Sequence, residues 1–287
     1  MKNIPVRKIT AGHREQMAPG RFSIRELQQL LNGKDLAHEL HKHDFFFVLA
    51  IQEGRGIHEV DFVKYKVHDH AVFILRPGQV HRLELKAGAS GFLLEFDTGF
   101  YQPQKSLTEQ RWQKAAAKNY CGLAAARFNK LYSILSNTFL EFSAQEDAYR
   151  EAIRGNLDLF FIELLRQSRN PKNIAPKQNP YTQERFEELL RLLETHIGHL
   201  KEVAGYASLL NMSPYQLNAI SKAAVGKTVS ALINEQIILE AKRYLLATSS
   251  QVKDIADQLG YEDVSYFIRF FKRHTGHSPE SFRKNCK

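Results

Sequence analysis

The chain repeats itself in its second half, and the repeat dictates a local fold. Tyr206-Ala207-Ser208-Leu209-Leu210-Asn211 matches Ile255-Ala256-Asp257-Gln258-Leu259-Gly260, and after one inserted residue Ser213 to Leu232 runs parallel to Asp263 to Phe282. Ala207 and Ala256 are small, as close helix approach requires. Asn211 and Gly260 occupy a turn, being the residue types that best tolerate a left-handed backbone. Ser213 and Asp263 are N-caps, with Pro214 at the first helical position of the first copy. Leu217 and Phe267 begin the core face, Lys222 and Lys272 match, and Gly226 and Gly276 stop the helices. Two helix-turn-helix units are the simplest account.

Between the units, Ala231 to Ala247 carries Ile233, Ile237, Ile238, Ala241 and Leu245 without Pro or Gly. At ~1.5 Å per residue this is a rod of roughly 24 Å, able to hold two recognition helices near the ~34 Å spacing of successive major-groove segments. The formal charge of +9 suits a polyanionic partner. Residues 181–287 hold 14 basic against 12 acidic residues, but within Val264 to Lys287 Arg269, Lys272, Arg273, Arg283, Lys284 and Lys287 face only Glu280. The basic excess of this half is therefore local to the second unit.

From about Phe22 to Phe100 the pattern changes to strands. Phe45 to Ile51, Ala71 to Leu75 and Phe92 to Phe96 are apolar runs punctuated by Gly and Pro, the signature of a sandwich or small barrel. His41 and His43 precede one strand and His81 follows another. The arrangement resembles the two cupin motifs, in which histidines from neighbouring strands converge inside a β-barrel. Metal-binding cupins carry a glutamate after the His-x-His pair, and Phe47 stands in that place here. Three imidazoles can still hold zinc or iron with an open fourth position. The reading taken is a metal-free effector pocket built on His41, His43, His81 and Phe45, with no cofactor and no catalytic residue assigned.

Leu131, Ile134, Leu135, Thr138 and Phe139, then Ile153, Leu157, Phe160, Phe161, Leu164 and Leu165, recur at helical spacing and predict two amphipathic helices. Their stripes are buried either on the barrel alone or also in a dimer interface. Three prolines between Asn170 and Pro180 mark a linker. The expected organisation is an effector-binding domain over 1–106, a helical segment over 107–169, a linker over 170–180 and a DNA-binding domain over 181–287. The fold class is α+β: an N-terminal cupin-like β-barrel with a helical segment, linked to an all-α domain of two helix-turn-helix units.

Residues 181–287 resemble the DNA-binding domain of the AraC/XylS family of bacterial transcription regulators. The resemblance is carried by Ile255-Ala256 through Gly260-Tyr261, by Phe267, Arg269, Phe271 and Lys272, and by Gly276, Ser278, Pro279, Phe282 and Arg283. A barrel followed by two helices is also the family's usual architecture. The resemblance implies that the helices opening at Ser213 and Asp263 each enter a major groove. Ser265, Ile268, Arg269 and Lys272 then share one face with Tyr266 beside them, while Phe267, Phe270, Phe271 and His274 lie on the other. Arg269 is the expected base reader, because a guanidinium donates two bonds to guanine, and Lys272 and Arg273 are expected on phosphate. In the first unit the face offers Tyr215, Gln216, Asn218 and Lys222, with Ala219 and Ser221 where the family often has arginine and an aromatic. Base reading there falls to the amides of Gln216 and Asn218, or the unit serves mainly to position the second.

The expected function is a sequence-specific transcriptional regulator of duplex DNA, responsive to a small-molecule effector and acting as an activator or dual regulator. RNA polymerase and a second copy of the chain are candidate partners. The alternative is a metal-dependent cupin enzyme using the barrel histidines, and a third reading is an RNA-binding or architectural protein, which would lack the aromatic platform common in RNA readers. Two cysteines far apart, Cys121 and Cys286, indicate reduced thiols rather than a disulfide framework. No apolar leader or membrane-length run is present, so a cytoplasmic protein without membrane contact is expected.

Overall fold

The run Phe45 to Ile51 contains no polar residue because the strand it forms is covered on both sides. In a computed structural model that describes residues 6–7, 20–101, 115, 118–168 and 180–285, Phe46, Val48 and Ala50 face one hydrophobic cluster and Phe47, Leu49 and Ile51 face another. The period-2 alternation of a strand thus serves two cores at once. The chain divides into two compact units, Pro5–Pro171 and Lys172–Lys287.

The first unit is built from β1 (Val6–Arg7), β2 (Phe22–Glu26), α1 (Leu27–Leu31), β3 (Leu36–His43), β4 (Phe46–Glu53), β5 (Gly56–Val60), β6 (Val63–Val67), β7 (Ala71–Leu75), β8 (Val80–Leu85), β9 (Ser90–Phe96) and β10 (Tyr120–Gly122). One five-stranded sheet has the order β1-β3-β8-β5-β6 and the other β10-β7-β4-β9-β2. Every pairing is antiparallel except β1 with β3. Between the sheets Val60, Leu83 and Leu85 of the first meet Leu49, Phe73 and Leu75 of the second.

Two helices, α2 (Ala125–Ala144) and α3 (Tyr149–Ser168), cover the outer face of the second sheet. Phe128, Leu131 and Leu135 of α2 and Ile153, Leu157, Phe160 and Leu164 of α3 join Val48, Val72, Leu94 and Phe96 in one cluster. The apolar stripes read from the sequence are therefore consumed against the barrel. The segment expected to be helical from residue 107 also contains a strand, because β10 adds to the free edge of β7 with Tyr120 opposite Phe73, their rings 5.1 Å apart. Cys121 on this strand is a half-buried free thiol. Cys286 and most of the proline-rich linker, residues 170–179, lie outside the described residues.

The second unit consists of α4 (Pro180–His196), α5 (Val203–Leu209), α6 (Pro214–Val225), α7 (Val229–Ala247), α8 (Val252–Gln258), α9 (Val264–Thr275) and α10 (Pro279–Asn285). The two turns of its repeat carry the same backbone hydrogen bonds. In the first turn the Asn211 N–H donates to Ser208 O at 3.0 Å and the Met212 N–H to Ala207 O at 2.9 Å; in the second, Gly260 donates to Asp257 O and Tyr261 to Ala256 O, both at 2.9 Å. Asn211 and Gly260 take left-handed φ values of 54° and 69°. Gly260 is needed for a second reason, since a Cβ there would lie 2.2 Å from the Gly198 carbonyl oxygen. α7, at 19 residues, is about 28 Å long. Its Ile233, Ile237, Ala241 and Leu245 join Leu217 of the first unit and Phe267 and Phe271 of the second in one core.

Candidate nucleic-acid interface and histidine cluster

The face of α9 is set by its phenylalanines. Phe267, Phe270 and Phe271 are buried, which leaves Ser265, Tyr266, Arg269, Lys272 and Arg273 exposed and Ile268 half-buried. Asp263 caps the helix, its Oδ1 accepting from the Ser265 N–H at 2.7 Å. The same carboxylate approaches the Arg269 guanidinium at 3.7 Å, with side chains 62% and 68% exposed. Such a pair in water holds little free energy, so Arg269 can leave it for a base or a phosphate. His274, expected on the core side, is exposed and rests against the Phe270 ring at 4.6 Å.

α6 is arranged differently. Tyr215 is 84% exposed and Lys222 is exposed, but the two amides expected to read bases are engaged in the fold. Gln216 completes a capping box: its Oε1 accepts from the Ser213 N–H at 2.9 Å while its own N–H donates to Ser213 Oγ at 3.2 Å. Asn218 is half-buried, its Nδ2 donating to Pro214 O and its Oδ1 accepting from the Val229 N–H, both at 3.0 Å. The Asn218 amide, offered from the sequence as one possible reader of adenine, thus ties α6 to the start of α7. Ser221 is likewise inward, donating to Lys227 O at 2.7 Å.

One correction concerns charge. Arg283 is buried, and its Nε donates to Leu245 O at 2.9 Å and its NH2 group to Ser250 O at 2.6 Å. It satisfies carbonyls at the end of α7 and in the connection to α8, so it leaves the basic surface counted from the sequence. Lys201, not singled out by the sequence, donates to Gly260 O at 2.5 Å and lies 4.7 Å from the Tyr261 ring, pinning the second turn.

In the first unit β3, β5 and β8 bring four histidines together. Register places His41 opposite His81 and His81 opposite Val60. His43 and His81 meet Nε2 to Nε2 at 2.7 Å, and the other nitrogen of His81 meets His58 Nε2 at 2.9 Å. His41 Nδ1 donates to Glu39 O at 2.7 Å. His41, His43, His58, His81 and Phe45 are all 5% exposed or less. The four residues expected to line an effector pocket are thus sealed in, packed on one another, on Phe47 and on His58. Burial and neighbouring imidazoles hold His81 well below its ordinary range, and burial with the nearby His41 lowers His58 to about 3, so both rings are neutral. His58 escaped the sequence reading; its signal is the strand alternation that puts it on the inward face with Val60.

A two-sheet barrel with a pair of helix-turn-helix units on one chain is the make-up of a DNA-binding transcriptional regulator with a ligand-binding domain. The AraC-like ligand binding domain model matches residues 31–114 and a helix-turn-helix domain model matches residues 206–285. Both models and the relatives are those of AraC/RhaS/RhaR-type transcriptional regulators, and the chain carries both domains. It is 23% identical over 86% of its length to an uncharacterized HTH-type transcriptional regulator, YfiF of Bacillus subtilis, covering 79% of that protein. It is 24% identical over 85% of its length to the HTH-type transcriptional activator RhaS of Pectobacterium atrosepticum, covering 86% of that protein. Among solved structures, apo ToxT from Vibrio cholerae aligns over 94% of this chain and 98% of its own at 15% identity and a TM-score of 0.40. The metal-dependent cupin enzyme finds no support among these relatives. Among the described residues no helix is long and apolar enough to cross a membrane.

Proposed function

We propose that this regulator reads its operator mainly through α9, with Arg269 on a base and Lys272 and Arg273 on phosphates, while α6 contributes Tyr215 and Lys222 and chiefly sets the position of the rest. The observation that carries this reading is the asymmetry between the two units. α9 leaves a polar, basic face exposed over a phenylalanine core, whereas the amides of α6 are used inside the fold. Ser265, Tyr266 and Ile268 complete the α9 face, and Gln216 retains only the part of its amide that the capping box does not use.

The barrel is the effector-responsive half. An effector that binds one arrangement of the barrel, the helix pair and the DNA-binding unit better than another shifts their equilibrium by its differential affinity. Activation is suggested by the transcriptional activator among the relatives, RNA polymerase is the partner proposed for it, and a cytoplasmic location is proposed because the protein would act on chromosomal DNA. A second copy of the chain is the occupant proposed for the shallow groove between α2 and α3, lined by Leu140, Ala152, Gly155 and Leu159, because both leucines are more than half exposed and the small residues allow close helix approach.

Genome-wide footprinting followed by fluorescence anisotropy on the recovered operator tests the reading. Arg269→Ala is expected to flatten base preference at one position, and unchanged preference would remove Arg269 from direct readout.

A further inference from the structure

A small organic effector occupies roughly 300 Å³ or more, and the histidines of the barrel leave no such opening among themselves. One ligating nitrogen from each of His41, His43 and His81 lies within 4.8 Å of the other two, and all three residues are 5% exposed or less. We propose that the barrel binds one first-row divalent metal ion of the zinc class through the imidazoles of His41, His43 and His81, with His58 supporting His81 from behind. The inference rests on the reading of the barrel as the ligand-binding half and names the ligand of that half.

The chemistry of each ring fits. His41 donates its Nδ1–H to the Glu39 carbonyl, so its Nε2 carries the lone pair, as in the carbonyl-anchored ligands of metal sites. His43 and His81 present Nε2 to Nε2 at 2.7 Å. Without an ion one of the two nitrogens must carry a proton toward the other. With an ion both lone pairs point at the metal, and at bond lengths of ~2.0–2.1 Å a tetrahedral pair of nitrogens stands about 3.3 Å apart, so the rings separate by only about half an ångström.

The His81 proton then resides on Nδ1, where His58 Nε2, 2.9 Å away, accepts it, and the His58 proton moves to Nδ1. Each of the three rings keeps one proton throughout, so the relay is balanced. The Nδ1 of His58 is buried without a hydrogen-bond partner, which marks this ring as one whose tautomer is not fixed from its far side. Nitrogen-only ligation without thiolate selects zinc, iron, nickel or copper over calcium and magnesium. Phe47 is stacked on His43 at 5.5 Å and 10°, where a metal-binding cupin carries its glutamate, so three neutral imidazoles leave the ion its charge and an open position.

Zn(II) and its spectroscopic substitute Co(II) test the proposal on the full chain. After stripping with a chelator and dialysis against micromolar Zn(II), the wild type is expected to retain one ion per chain, and X-ray absorption of the loaded protein to show three imidazole nitrogens at about 2.0–2.1 Å. His43→Gln and His81→Gln are expected to lose affinity at least hundredfold. The exposed pair His196 and His199, 3.1 Å apart, is the decoy: the double variant H196A/H199A should bind as the wild type does. A wild type that retains no ion, loss of binding in H196A/H199A, or a spectrum without three imidazoles overturns the proposal. If the barrel variants do not fold, the wild-type spectrum decides. Operator binding measured on the same samples separates the two readings. Specific DNA binding by a protein that takes no metal overturns the metal site alone, and metal binding without specific DNA binding upholds the site while overturning the regulatory reading.

Discussion

Arg269 lies 3.7 Å from Asp263, the residue that caps its own helix. One carboxylate therefore starts the helix proposed to read DNA and holds the side chain proposed to do the reading. Arg269→Ala should cost ~1–3 kcal/mol of discrimination at one base position. Asp263→Asn keeps a good cap and releases the guanidinium, so affinity should rise on every duplex, with a larger share of phosphate contact and a steeper salt dependence. Anisotropy titrations at several salt concentrations on operator and scrambled duplexes distinguish these outcomes.

Asn218→Ala should act on stability rather than on sequence preference. It removes the acceptor of the Val229 N–H at the first residue of α7 and the donor to Pro214 O, and loss of partners at a half-buried site costs about 1–2 kcal/mol. Urea unfolding should show that loss, while relative affinities across a panel of operator variants stay fixed. A changed base preference would return Asn218 to the interface.

Arg283 and Lys272 look alike in a charge count and should behave oppositely. Arg283→Met leaves the Leu245 and Ser250 carbonyls without their donor and should destabilise by about 2–4 kcal/mol, leaving the salt slope of DNA binding unchanged in the folded fraction. Lys272→Ala on the exposed face should leave stability within about 0.5 kcal/mol and lower the salt slope by about 1. Paired unfolding and salt titrations check both.

The helix-turn-helix repeat was legible because backbone demands fall on residues that announce themselves: a left-handed turn at Asn211 and Gly260, caps at Ser213 and Asp263, stops at Gly226 and Gly276. The strand runs were legible for the same reason, although that Phe46 and Phe47 feed different cores follows only once the helix pair is in place. What escaped was long-range. His58 and His81 are 23 positions apart and Arg283 and Leu245 38 apart, and no local pattern tells a buried histidine or arginine from an exposed one. The ties of Asn218 escaped for a related reason, since an amide on the outer side of a helix looks free until the next helix starts beside it.

Alkaline pH should loosen the DNA-binding unit through Tyr206. Its hydroxyl donates to Leu200 O at 2.8 Å, its ring is fully buried, and burial pushes its pKa up to about 12 from 10.0. The folded state thus holds this proton more tightly than the unfolded chain does. The associated stability is fully present below pH 10 and is lost as pH rises from 10.0 toward about 12, at about 1.4 kcal/mol per pH unit for one group. Tyr261, which burial raises to about 12 as well, adds to the same slope. Tyr206→Phe deletes a hydrogen bond, costing about 1 kcal/mol at neutral pH, but also removes one titrating group, so its stability should fall less steeply above pH 10, meet that of the wild type near about pH 11 and exceed it by about 1 kcal/mol near pH 12. Urea unfolding followed by helical circular dichroism between pH 7 and 12 measures both curves, and parallel slopes would show that Tyr206 ionises without opening the unit.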